Sequence, residues 1–189
     1  MWSERDRAQL QADRDAHAAW WAGDRSRPLI LPRRTAYDVC AVLLPTITSR
    51  VRLILRIIVA TVARWIPIST VKTFIYRRLG VRIGRDVFIS PGALLDPCYP
   101  ELIELNDGCF LGAECRLVTH EYTASNFRIG RVRVGAGSVI GAFSVIRSSV
   151  SVGRAVTTGL GSVVMSDVPD GRSVVGNPAR RLPLNQEAD

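Results

Sequence analysis

The chain has 189 residues, a net charge of +8 at pH 7 and 47% hydrophobic residues, enough for one sizeable core with an appendage and too few for two full domains. All the excess charge precedes residue 81, with 14 Lys/Arg against 6 Asp/Glu in residues 1–80 and 11 of each in residues 81–189. No base-reading or base-stacking motif accompanies the basic half, so a nucleic-acid binder is excluded as the overall reading.

Residues 3–22 are rich in helix formers, with Ser3 as the expected N-cap and Gly23 as the stop. This helix reads as solvated, with an aromatic end at Trp20 and Trp21 and an exposed His17 that has no role. The linker Asp24 to Arg34 carries two prolines and reads as extended. No secretory signal is visible in the polar start, and Cys40, Cys98, Cys109 and Cys115 form no CxxC pair. A reducing cytoplasm is therefore the expected compartment, with Cys109 and Cys115 as small core residues.

From Val39 to Gly80 there is no acidic residue, while Arg50, Arg52, Arg56, Arg64, Lys72, Arg77 and Arg78 are basic. The uncharged run Val39 to Ser49 is too short to span a bilayer. Wound as a helix, residues 50–66 gather the arginines on one half and Val51, Ile54, Leu55, Ile58, Val59, Val62, Trp65 and Ile66 on the other. Two readings stay open: the apolar side packs on the rest of the chain or on a neighbouring subunit, or residues 39–78 lie on the anionic inner leaflet of a membrane.

A period of six begins at Gly80, with IGRDVF and ISPGAL in register. The run Leu95 to Glu104 breaks it and should loop out at a corner. LNDGCF, LGAECR and LVTHEY restore it, and an insertion follows from Thr123 to Arg133. From Val134 to Pro169 six hexads run without interruption: VGAGSV, IGAFSV, IRSSVS, VGRAVT, TGLGSV and VMSDVP. Helices need apolar residues every three or four positions and ordinary strands alternate by twos, so this period fits neither. It fits a parallel β-helix with three flat sides, one short strand and one corner per hexad, about four coils in all. Glycine at the second position is read as allowing a corner conformation that other residues resist. The expected organisation is a helical basic extension over residues 1–79, the β-helix over 80–169 and a C-terminal tail over 170–189 that ends in disorder.

His120 is the single histidine of the repeats. Glu121 beside it falls on a core position, where a desolvated carboxylate is costly, so the repeat should break there and the chain turn outward. A histidine at the lip of a rigid scaffold, just before a loop, is placed to meet a substrate.

These hexads, with the tail GLGSVVMSDVPDGRSVVGNPARRL from Gly159 to Leu182, resemble the hexapeptide-repeat acyltransferases, which include galactoside, maltose and xenobiotic acetyltransferases. The resemblance implies a mainly β fold with a left-handed coil, a homotrimer, and acyl-CoA sites between subunits with acetyl-CoA as co-substrate and no permanent cofactor. It also implies that His120 is the general base of a direct transfer, a role that suits imidazole near neutral pH. On the acceptor side it points to Phe88, Ser90, Asp96, Tyr122 and Asn126, with Phe127 and Arg128 in the same loop. Members that acetylate sugars often carry Asn where this chain has Ser90, so the orienter of His120 stays open. On the donor side, Gly141 and Ala142 would offer an amide to the thioester oxygen, and Gly159 and Leu160 would flank the pantetheine arm. Met165-Ser166 stands where many members have Thr-Lys, so Arg180 and Arg181, after Asn177 and Pro178, become the phosphate partners.

The expected activity is acetyl transfer to a hydroxyl or amine of a sugar or other small hydroxylated acceptor. A non-catalytic scaffold, or a membrane-associated assembly protein, is the alternative. Zinc enzymes that use the same coil need three histidines, and His17 and His120 are the two available, so no metal site is expected.

Overall fold

The structure is a computed structural model that describes residues 4–32 and 48–182. The expected N-cap Ser3, the end of the linker at Arg33 and Arg34, Cys40 with the rest of residues 39–47, and the tail from residue 183 onward lie outside the described residues.

Helix α1 (Glu4–Ala22) stops at Gly23, whose N–H donates to the Ala19 carbonyl. It is not solvated all round, as its composition suggests. Asp13 and His17 are buried on one face, and the His17 ring packs near those of Trp21 and Tyr99. Positions 13, 17, 20 and 21 share a helix face, and the insertion that carries Tyr99 supplies the surface that covers it. Burial pushes the His17 imidazole down to about 4, so it is neutral at pH 7. The linker forms strand β1 (Leu29–Pro32).

Helix α2 (Arg50–Trp65) is capped by the Ser49 hydroxyl, which accepts from the Arg52 N–H, and it ends ahead of Pro67. Helix α3 (Ser69–Leu79) ends at Gly80 in the left-handed region, φ 112°. Tyr76 of α3 and Ala60 and Ala63 of α2 join the core of the coil. The apolar side of α2 does not pack on the coil. Its other side does, through Arg56 to Glu101 at 2.6 Å and Arg64 to Glu114 at 2.5 Å.

The rest is a left-handed parallel β-helix with three faces. The first face stacks β2 (Arg82–Ile83), β5 (Ile103–Leu105), β10 (Val132–Val134) and β13 (Ser151–Val152). The second stacks β3 (Phe88–Ile89), β6 (Phe110–Leu111), β11 (Val139–Ile140), β14 (Thr157–Thr158) and β16 (Ser173–Gly176). The third stacks β4 (Leu94–Leu95), β7 (Arg116–Leu117), β12 (Val145–Ile146) and β15 (Val163–Val164). Like positions stack on like: Leu95, Leu117, Ile146 and Val164 form one inward column, and Leu111, Ile140, Thr158 and Val174 another. The coil therefore runs beyond Pro169. There β16 adds a rung, and β17 (Ala179–Arg181) folds back antiparallel on it.

Two details of the hexad have physical causes that the pattern did not reveal. At the second position glycine is required by close stacking, not by its own dihedrals. A Cβ on Gly141 would stand 2.5 Å from the Thr158 carbonyl oxygen of the next coil. The left-handed residues are instead at the fourth position and include Phe143, Ser149 and Ala155. The buried serines at the fifth position satisfy their hydroxyls across coils, Ser138 on the Gly153 carbonyl at 2.7 Å and Ser144 on that of Gly159 at 3.0 Å. Cys109 and Cys115 occupy the same kind of slot and are buried.

Candidate active site

After β7 the repeat breaks, as Glu121 leads one to expect. The chain leaves the corner between the third and first faces as strand β8 (His120–Tyr122) and returns as β9 (Asn126–Ile129), antiparallel to it. β1 pairs on the other side of β9, so the N-terminal strand completes a three-stranded arm over the corner. Glu121 is kept out of the coil by Arg147, whose Nε donates to it at 2.6 Å, and by the Ser148 hydroxyl at 3.1 Å.

His120 stands at the root of this arm, partly exposed, with Tyr99 edge-on at 5.7 Å and Phe127 at 6.1 Å between ring centres. Its Nδ1 lies 2.6 Å from Oδ2 of Asp96. Asp96 follows β4, one coil earlier, and is 5% exposed. Its Oδ1 accepts the Cys98 N–H, and its Oδ2 accepts both the N–H and the hydroxyl of Thr119. Burial by itself would raise this carboxyl, but the hydrogen bond and charge of His120, with the donors on Thr119 and Cys98, outweigh it and hold it below the usual carboxylate range. An ionised Asp96 fixes the imidazole proton on Nδ1 and leaves the lone pair on Nε2, the tautomer a general base needs.

The resemblance sets Asp96 against the acceptor. The structure buries it beneath His120 with Oδ2 on the ring Nδ1, a position suited to orienting the imidazole. Phe127, in the same loop, is fully buried with Leu31, Tyr99, Leu102 and Ile129, and Tyr122 packs on it at 4.7 Å. Tyr122 is exposed and lies on the same face of the arm as His120, two residues away, whereas Asn126, half-buried, alternates to the other face with Glu121 and Arg128. Tyr99 and Thr119 escape sequence reading. The one signal for Tyr99 is that it sits in the run that breaks the period, and Thr119 carries none.

Asp96, Cys98 and His120 also present metal-ligating atoms within 4.8 Å of one another. The carboxylate already accepts four hydrogen bonds, so a cation there would have to displace His120 or Thr119. The cluster fits orientation of an imidazole better than metal binding.

The remaining expected residues divide between two edges of the prism. Ser90, Gly141, Ala142, Gly159 and Leu160 follow the second-face strands β3, β11 and β14 and line the edge between the second and third faces, while Phe88 lies on the second face, its ring stacked on Phe110 at 5.0 Å. Of the Gly141-Ala142 pair, the Gly141 N–H is taken up by Thr158. Ser166, Arg180 and Arg181 meet in a cleft of about 210 Å³ with Met165 and Val174, next to the exposed turn at Asn177 and Pro178. A larger cleft, about 390 Å³, lies along another edge beside Arg133, Arg154 and Asp170 and holds none of these residues. One chain thus sets His120 on one edge and the glycine-lined groove on another, a face apart.

No family model matches the chain. YvoF of Bacillus subtilis, named as an acetyltransferase, is 30% identical over 131 residues, which are 69% of this chain and 76% of YvoF. Among solved structures, the hexapeptide-repeat acetyltransferase VCA0836 of Vibrio cholerae, in complex with acetyl coenzyme A, superposes with a TM-score of 0.58 at 17% identity, over 71% of this chain and 87% of that one. A maltose O-acetyltransferase of Clostridium difficile superposes with a TM-score of 0.51 at 16% identity, over 80% of this chain and 90% of that one.

Proposed function

The chain belongs to the hexapeptide-repeat acetyltransferases, and on that footing we propose that it moves an acetyl group from acetyl-CoA to a hydroxyl or amino group of a sugar or other small hydroxylated acceptor, with His120 as general base. The observation that carries this reading is the buried Asp96 bonded to His120 Nδ1 at 2.6 Å. Nε2 takes the proton of the acceptor hydroxyl or amine as its oxygen or nitrogen attacks the thioester carbonyl. The tetrahedral intermediate then expels the coenzyme A thiolate, which recovers a proton from the imidazolium. No covalent acetyl-enzyme is needed. The Ala142 amide is the donor assigned to the oxyanion in this reading. Arg180 and Arg181 carry guanidinium forks suited to the coenzyme phosphates.

The separation of His120 from the glycine groove supports an assembly in which the base of one subunit meets the donor bound along its neighbour. The implied homotrimer provides such seams. The activity is assigned to the cytoplasm, where acetyl-CoA is made available.

The test is release of coenzyme A from acetyl-CoA across sugars, amino sugars and lipid-linked saccharides, with product mass and alkali lability separating ester from amide. His120→Ala is expected to lower turnover about 10²- to 10⁴-fold while the assembly stays intact. Near-normal turnover in that variant, or no acceptor-dependent release in the wild type, would refute the reading.

A further inference from the structure

Helix α2 is mounted with its polarity reversed. A surface helix ordinarily turns its apolar stripe to the core and its charges to water. Here Arg56 and Arg64 point inward, tied to Glu101 and Glu114, and the Arg64 Nε donates to the Gly92 carbonyl at 2.8 Å. Ala60 and Ala63 are fully buried beside them. Outward stand Val51, Ile54, Leu55, Ile58, Val62 and Trp65, each more than half exposed. Ile68 and Phe74 continue this apolar surface past Pro67, both 57% exposed. The ion pairs hold the helix in this orientation, so the apolar strip cannot roll back onto the coil.

The charges beside the strip indicate what covers it. At about 100° per residue, Arg50 falls on one margin of the apolar arc and Arg52 on the other, and both are exposed. Arg77 and Arg78 are exposed at the end of α3, with Arg78 over the Phe74 ring at 5.1 Å. No Asp or Glu occurs between Asp38 and Asp86. We propose that this face docks on the surface of a bilayer that contains anionic lipid. Two copies meeting strip to strip would set arginine margins against each other with no carboxylate in the segment to offset them, whereas acidic headgroups supply that counter-charge. Among the described residues no helix is long and apolar enough to cross a membrane, so α2 lies in the plane of the interface with its outer side chains among the acyl chains.

The experiment sediments the full chain with vesicles of phosphatidylcholine, with or without phosphatidylglycerol, at low and at high salt. Strong sedimentation with the anionic vesicles, weak with the neutral ones and reduced by salt, is the expected result. Arg50→Gln and Arg52→Gln should each weaken binding about fivefold. Ile54→Ser/Ile58→Ser/Val62→Ser should abolish it, while circular dichroism and coenzyme A release stay unchanged because these residues lie outside the site. Absence of binding to either vesicle overturns the proposal. So does equal binding to both, or a triple variant that breaks an oligomer of the free protein, since the face would then serve contact between copies.

Discussion

Replacing Asp96 by Asn tests the site at the group that governs it. The carboxylate accepts four hydrogen bonds, from Cys98 N–H, Thr119 N–H, Thr119 hydroxyl and His120 Nδ1. An amide has one acceptor oxygen and brings two donors. If its oxygen stays toward His120 and Thr119, the NH₂ faces the Cys98 N–H. If it flips, the NH₂ faces the Thr119 N–H and His120 Nδ1, and the ring must put its proton on Nε2. The first outcome leaves one buried amide unpaired, at about 1–3 kcal/mol. It also removes the negative charge that steadies the imidazolium, about 1.5–3 kcal/mol for a hydrogen bond to a charged group, or roughly 10- to 150-fold in rate. The second outcome disables the base and can reach about 10⁴-fold. Turnover is therefore expected to fall by between about 10- and 10⁴-fold, with the KM for acetyl-CoA little changed because Asp96 is buried beneath His120 and touches none of the residues assigned to the donor. Steady-state coenzyme A release measures both quantities. Turnover within about twofold of wild type would show that Asp96 does not orient the base, and a loss confined to acetyl-CoA binding would move Asp96 to the donor side.

Three further outcomes are expected. The depressed folded-state pKa of His17 means that the unfolded chain binds the proton more readily, so the stability tied to neutral His17 is present above pH 6.5 and is lost as pH falls from 6.5 to about 4. That shift corresponds to about 3 kcal/mol, and tryptophan fluorescence of wild type against His17→Phe across this window should show acid release in the first and not in the second. Gly141→Ala drives a methyl against the Thr158 carbonyl, with only 2.5 Å available, and should destabilise the coil by about 1–3 kcal/mol in denaturant unfolding; a neutral effect would mean the coils can separate freely at that corner. Arg180→Gln with Arg181→Gln should raise the KM for acetyl-CoA about tenfold and leave turnover near wild type, and an unchanged KM would place the phosphates elsewhere.

The second-face glycines show how a correct pattern can carry an incomplete cause. Their spacing announces the corner, yet it is the backbone of the next coil that excludes a side chain there, while Phe143 and Ala155 adopt the left-handed dihedrals expected of glycine. The same holds for Glu121: its place on a core position marks the break in the repeat, but its partner Arg147 belongs to the following coil.

By itself the sequence determined the coil, because a period of six makes each inward residue stack on its own kind and local spacing then fixes long-range contacts. It also singled out His120, through the cost of desolvating its neighbour. Only the tertiary structure decided that Asp96 is buried against His120 Nδ1, that His17 is buried under Tyr99, and that α2 turns its arginines inward. These depend on which surfaces meet across insertions and helices that have no shared period, and a carboxylate 24 residues from its histidine has no spacing rule to announce it.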